Sequence, residues 1–99
     1  MKPLPPPDNA LERDDAVEVL RAWVVGEDLY VSLAFESFGN NPGIWGQLLA
    51  EVTSHLADAM SFEGYGDRNA IFAKIRESLI ANMENPYPGM PGTVMNPVQ

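Results

Sequence analysis

Ninety-nine residues carry fourteen acidic and six basic side chains, a net charge of −8 and no cysteine. That composition excludes disulfide staples, thiolate zinc sites and cysteine nucleophiles together. Between Ala22 and Asp67 lie seven acids and neither Lys nor Arg, the reverse of what nucleic-acid phosphates or an anionic membrane surface require.

The chain is long enough for one domain, and its ordered part is expected to span about 70 residues. A body of that size buries only roughly 60% of its unfolded surface and is marginal alone. With one histidine, a structural zinc site within one chain is disfavoured too. Oligomerisation is the stabilising device that remains.

Residues 1–15 read as a Pro-rich, acidic tail: Pro3 and Pro5–Pro7 cannot start a helix. Asn9–Asp15 has room for one helical turn, capped at Asn9 or Asp8. Lys2 is followed by proline and polar residues instead of the apolar stretch of a signal peptide. No apolar run approaches the ~18 residues of a membrane span. A cytoplasmic protein is the expectation.

Val17–Val25 and Leu29–Phe35 follow, rich in Val, Leu, Trp and Tyr with period-two alternation, which predicts a β-hairpin. Gly26 supplies the turn, because a tight hairpin needs positive φ. A two-residue loop at Gly26-Glu27 pairs Val24 with Leu29, Ala22 with Val31 and Leu20 with Leu33. One face then carries Leu20, Ala22, Val24, Leu29, Val31, Leu33 and Phe35; the other carries Val19, Trp23, Val25 and Tyr30. A three-residue loop would change the parity. The two-residue loop is preferred, since it makes one face wholly apolar.

Asn41 and Pro42 are an N-cap and a first helical residue. From there Trp45, Leu48, Leu49, Val52, Leu56 and Ala59 recur at helical spacing, which predicts a buried stripe on a helix running to about Met60. Gly46, Ala50, Thr53 and Ala57 make a second stripe of small residues, where another helix can approach closely. After the loop at Glu63–Gly66, Asp67 is placed to cap a second helix whose buried face is Ile71, Phe72, Ile75, Leu79 and Met83, ending at Asn85-Pro86. Residues 87–99 form a Pro/Gly-rich tail or arm without charge, which Tyr87, Met90, Val94 and Met95 can pin to the body or to a neighbouring subunit.

Chemistry-bearing constellations are sparse. Glu51, His55 and Asp58 share a narrow sector of the first helix at i, i+4 and i+7, three candidate metal or ligand contacts. The bland alternative is a half-buried imidazole beside the apolar stripe, and the second helix supplies no obvious further ligand. No serine sits in a nucleophile elbow. Gly64-Tyr65-Gly66 lacks both the preceding strand and the Lys-Ser/Thr of a phosphate loop. Arg68, Lys74 and Arg76 give the second helix a basic patch able to answer acids on the first helix or across a dimer. On the hairpin, Trp23 and Tyr30 are residue types that dominate protein interfaces.

The runs Val19-Leu20-Arg21-Ala22-Trp23-Val24-Val25 and Leu29-Tyr30-Val31-Ser32-Leu33, with Pro42-Gly43-Ile44-Trp45-Gly46 and Leu48-Leu49-Ala50, resemble a small bacterial domain-of-unknown-function family, mainly alphaproteobacterial. The resemblance continues through His55, Ala57 and Ala59 and spans roughly Ala16 to Pro86; the Pro/Gly/Met tail beyond departs from it. It implies no catalytic residue, cofactor or ligand.

The reading is therefore an α+β domain over residues 16–86 in the order β-β-α-α. It is an antiparallel hairpin with both helices packed on its Leu20/Val24/Val31/Leu33 face and the sheet extended or covered by dimerisation. The expected function is a small acidic, non-enzymatic interaction or accessory protein. It would work as a homodimer through the hairpin edges or through the outer face of Val19, Trp23, Val25 and Tyr30, with no cofactor, nucleic acid or membrane; the other cover open to Trp23 is the chain's own termini. The alternative is a small-ligand or metal-binding domain, conceivably an enzyme, that uses Glu51, His55 and Asp58.

Overall fold

The computed structural model describes residues 3–85 and the backbone of 92–94. They fall into two compact units, one built from residues 3–37 with 92–94 and the other from 38–85. The fold is a small α+β arrangement: an antiparallel hairpin, then two helices packed together. No helix among the described residues is long and apolar enough to cross a membrane.

The first unit opens with a short helix, α1 (Asp8–Leu11). Pro7, not Asn9 or Asp8, occupies its N-cap position, and no side chain caps it. The Pro7 carbonyl accepts from the Ala10 N–H at 2.9 Å instead. Strands β1 (Leu20–Val25) and β2 (Asp28–Leu33) then pair antiparallel. Val24 faces Leu29, Ala22 faces Val31 and Leu20 faces Leu33, as a two-residue loop requires. Gly26 has φ 64° while Glu27 keeps a negative φ, the φ pattern of a type II′ turn, which matches the twist of the strands it joins.

β1 begins three residues later than the Val17 start read from the sequence. Its partner strand ends at Leu33, and the chain beyond turns into a 3₁₀ helix at Phe35–Phe38. That leaves the Ala34 N–H donating to the Val19 carbonyl at 3.0 Å as the last rung. On the other side of β2, a three-residue strand, β3 (Gly92–Val94), adds in parallel and makes the sheet order β1-β2-β3. Part of the expected arm is thus docked by its backbone. The pinning contacts expected of Tyr87, Met90 and Met95, and of the Val94 side chain, lie outside the described residues.

In the second unit, α2 (Pro42–Phe62) and α3 (Arg68–Glu84) form a helical hairpin. Pro42 opens α2 where a missing N–H costs nothing. Asn41 stands at the N-cap, yet its side chain makes no cap bond; its backbone carbonyl takes the Ile44 N–H at 3.1 Å. The turn between the helices is closed by the Ser61 hydroxyl donating to the Gly66 carbonyl at 2.9 Å. Asp67 caps α3, its carboxylate accepting from the Ala70 N–H at 3.0 Å.

The helices meet on the small-residue side of α2. Among the described residues, Ala57 at 0% exposure and Thr53 at 8% are the buried ones. Thr53 satisfies its hydroxyl on the Leu49 carbonyl one turn back, at 2.9 Å. Ser54 and Asp58, next to them on the helix, hold Arg68 of α3. The large-residue stripe departs from expectation: Trp45 and Leu48 are half-buried, whereas Leu49, Val52, Leu56 and Ala59 are exposed. On α3, Ile71, Phe72 and Ile75 are half-buried, and Leu79 and Met83 are exposed. A helix has one side for each neighbour, and α3 takes the side on which little bulk intervenes.

Two substitutions test this contact. Ala57→Leu forces bulk into the closest approach and should cost about 1–3 kcal/mol. Gly46, whose added Cβ would meet nothing within 4 Å, lies on the same stripe beyond the contact. Gly46→Ala should stabilise by about 0.5–1 kcal/mol through helix propensity. Urea midpoints of both variants against the parent measure the difference.

Candidate functional site

Two sets of residues were candidates, and the structure treats them differently. Glu51, His55 and Asp58 all lie on α2 and are exposed. Asp58 is engaged by α3: the Arg68 Nε donates to its carboxylate at 2.8 Å. Arg68 also donates through Nη2 to the Ser54 hydroxyl at 2.6 Å and lies over the Phe72 ring, 5.0 Å from its centroid. The expected answer of the α3 basic patch to the acids of the first helix is therefore realised at Arg68. Among the described residues, no group of three His, Asp or Glu side chains is arranged to hold a metal ion.

Val19, Trp23, Val25 and Tyr30 belong to the hairpin, where the register sets Trp23 directly opposite Tyr30. Val19, Trp23 and Tyr30 are half-buried; Val25 is 60% exposed. The opposite face is no better covered: Val24 is 64% exposed and Ala22 is exposed, with Leu20, Leu29, Val31 and Leu33 half-buried. A groove of about 290 Å³ runs along β1, with Trp23 on its strand side and Pro3 and Leu4 lining it as well. Leu4 is itself exposed.

Sequence reasoning allowed association through the hairpin edges as well as its outer face, and the structure defines one such edge among the described residues. The sheet order makes β1 an outer strand. The Val19–Ala34 rung is hydrogen-bonded, and antiparallel ladders alternate bonded and non-bonded pairs. Leu20, Ala22 and Val24 therefore aim their backbone groups away from β2.

Beside this edge the charge is locally neutralised. Arg21 donates through Nη2 to the Glu18 carboxylate at 2.8 Å. Upstream, Arg13 grips Asp15 with two bonds, at 2.8 Å and 2.6 Å. The guanidinium holds the Asp15 carboxyl below its ordinary value, and the carboxylate raises Arg13 in return.

Comparison with known proteins adds a family and a fold relative. The model of the family described as "Domain of unknown function (DUF5076)" matches residues 3–87, starting upstream of Ala16 and taking in α1. A solved structure described as that of "a putative pyruvate dehydrogenase from the photosynthetic bacterium Rhodopseudomonas palustrus CGA009" is similar over the whole chain. Its TM-score is 0.72 at 28% identity, with 100% of this chain and 97% of that one covered. No curated protein matches.

The Arg13–Asp15 pair has a direct check. Because Asp15 is depressed, its contribution is present at neutral pH and is lost as pH falls through the depressed midpoint. In an NMR pH titration the Arg13→Ala variant should return the Asp15 carboxyl to the ordinary carboxylate range.

Proposed function

We propose that this member of the DUF5076 family, to which the chain belongs over residues 3–87, is a non-enzymatic interaction domain that works as a homodimer. The observation that carries the reading is the burial pattern. Among the described residues the buried set is Ala57 and Thr53, and no large side chain is fully buried. Leu49, Val52 and Leu56 make an exposed apolar line along α2, and Val24 and Val25 are exposed on the hairpin.

An exposed apolar line such as that of α2 is the kind of surface that marks association sites. Covering a Leu or Val side chain fully contributes roughly 1.5–3 kcal/mol, so a partner that covers several supplies what a 99-residue chain without cysteine lacks. The likeness to the Rhodopseudomonas structure brings no residue role to this chain. Glu51 and His55 stand exposed, and Asp58 is tied to Arg68; the ligand-binding alternative therefore gains no support from their placement.

Self-association couples mass to stability. At micromolar concentration light scattering should give twice the 10.9 kDa chain mass. The thermal midpoint should also rise with protein concentration, because mass action favours the associated folded state. A species of 10.9 kDa with a concentration-independent midpoint overturns the dimer.

A further inference from the structure

We propose that the second copy docks on the open edge of β1. Two β1 strands would pair antiparallel about a two-fold axis that passes between the two copies of Ala22. The inference rests on the self-association proposed above and names its surface. β1 spans six residues, and no described strand pairs with its outer side. Natural edge strands are usually guarded by lysine, proline, a bulge or an inward charge. Leu20–Val25 contains none of the first two and pairs with β2 without a bulge. Its one charge, Arg21, is already matched by Glu18 at 2.8 Å.

Symmetry then selects the register. Two-fold pairing of identical antiparallel strands sets residue i opposite j and j opposite i, so one residue must face its own copy. Centring on Arg21 places like charges directly opposite, which is destabilising. Centring on Trp23 sets Ala22 against Val24 but Leu20 against Gly26, outside β1, so it forms two hydrogen-bonded pairs within the strands where centring on Ala22 forms three. Centring on Ala22 puts the smallest side chain of β1 at the axis. It sets Leu20 opposite Val24 on one face, with Arg21 opposite Trp23 and Val19 opposite Val25 on the other.

Each of those pairs is favourable in kind: aliphatic with aliphatic, and a guanidinium beside an indole face. The same centring turns Leu20, Ala22 and Val24, whose backbone groups point outward, into the hydrogen-bonded positions of the new ladder. Pro3 and Leu4 line the groove of about 290 Å³ along this edge, so the incoming strand would displace that N-terminal segment. The continuous sheet then has six strands, β3-β2-β1 and their symmetry copies.

Three variants test it. Ala22→Pro removes the N–H that points across the axis; proline is tolerated on an edge strand, so the hairpin should persist by circular dichroism while dimer affinity falls at least tenfold. Ala22→Cys introduces the one thiol of the chain. Bonded antiparallel pairs hold Cα atoms about 5.5 Å apart, inside the disulfide range, so mild oxidation should give a covalent dimer. Asn69→Cys on α3 should not. Deleting residues 1–7 should leave dimerisation intact.

A dimer that survives Ala22→Pro and does not cross-link at position 22 overturns the edge pairing while leaving self-association standing. A chain that is monomeric in every form overturns both. Dimerisation that appears only after deletion of residues 1–7 shows the N-terminal segment to be the occupant of the edge and overturns the proposal for the full chain.

Discussion

The close approach of α2 and α3 at Thr53 and Ala57 constrains the rest of the second unit. A helix can bury its small-residue side or its large-residue side against a given neighbour, but not both. Ala57 has no exposed surface, and Thr53 turns its hydroxyl back onto its own helix, so nothing bulky or unsatisfied intrudes between the helices. Arg68 then ties the start of α3 to Ser54 and Asp58. The consequence falls on the other side of α2. Leu49, Val52 and Leu56, all large and apolar, are exposed.

A second constraint acts in the first unit. A two-residue turn with Gly26 at positive φ fixes the hairpin register, and a one-residue slip would exchange the faces of every side chain. Register fixes the edge as well as the faces. Once the Val19–Ala34 rung is bonded, alternate residues of β1 have no choice but to present their backbone groups outward. Proximity in sequence thus determines an edge whose backbone groups are left to water or to another strand.

These two constraints explain why some of the architecture was legible in the sequence and some was not. The register followed from counting across Gly26-Glu27, the start of α2 from Pro42, and the cap of α3 from Asp67, all local signals with one physical solution. The burial of α2 did not follow, because periodicity reports which residues share a side and not which neighbour takes that side. Both stripes were visible; the contact with α3 went to the small one. The parallel addition of β3 was hidden for a different reason: a three-residue strand in a segment rich in proline and glycine carries no alternation to read. Of the candidate residues, Trp23 and Tyr30 are brought opposite each other. Asp58 is drawn toward Arg68, away from any joint role with Glu51 and His55.

Charge decides where two copies of so acidic a chain can meet. Each carries −8, so a pair carries twice that, −16, and every contact must form against net repulsion. Screening confines that repulsion to about 8–10 Å at ordinary salt, which makes local charge the deciding quantity. Leu20–Val25 contains no acid, and its one cation is matched by Glu18. On α2, Glu51 is exposed, and Asp58 stands at the α3 contact, where Arg68 partly compensates it. Backbone pairing at an edge also needs little complementary shape beyond register, which the proposed centring on Ala22 would supply. Among the described residues, Leu20–Val25 thereby offers this acidic, cysteine-free chain a strand-long surface without net charge, and that is the property the proposed pairing uses.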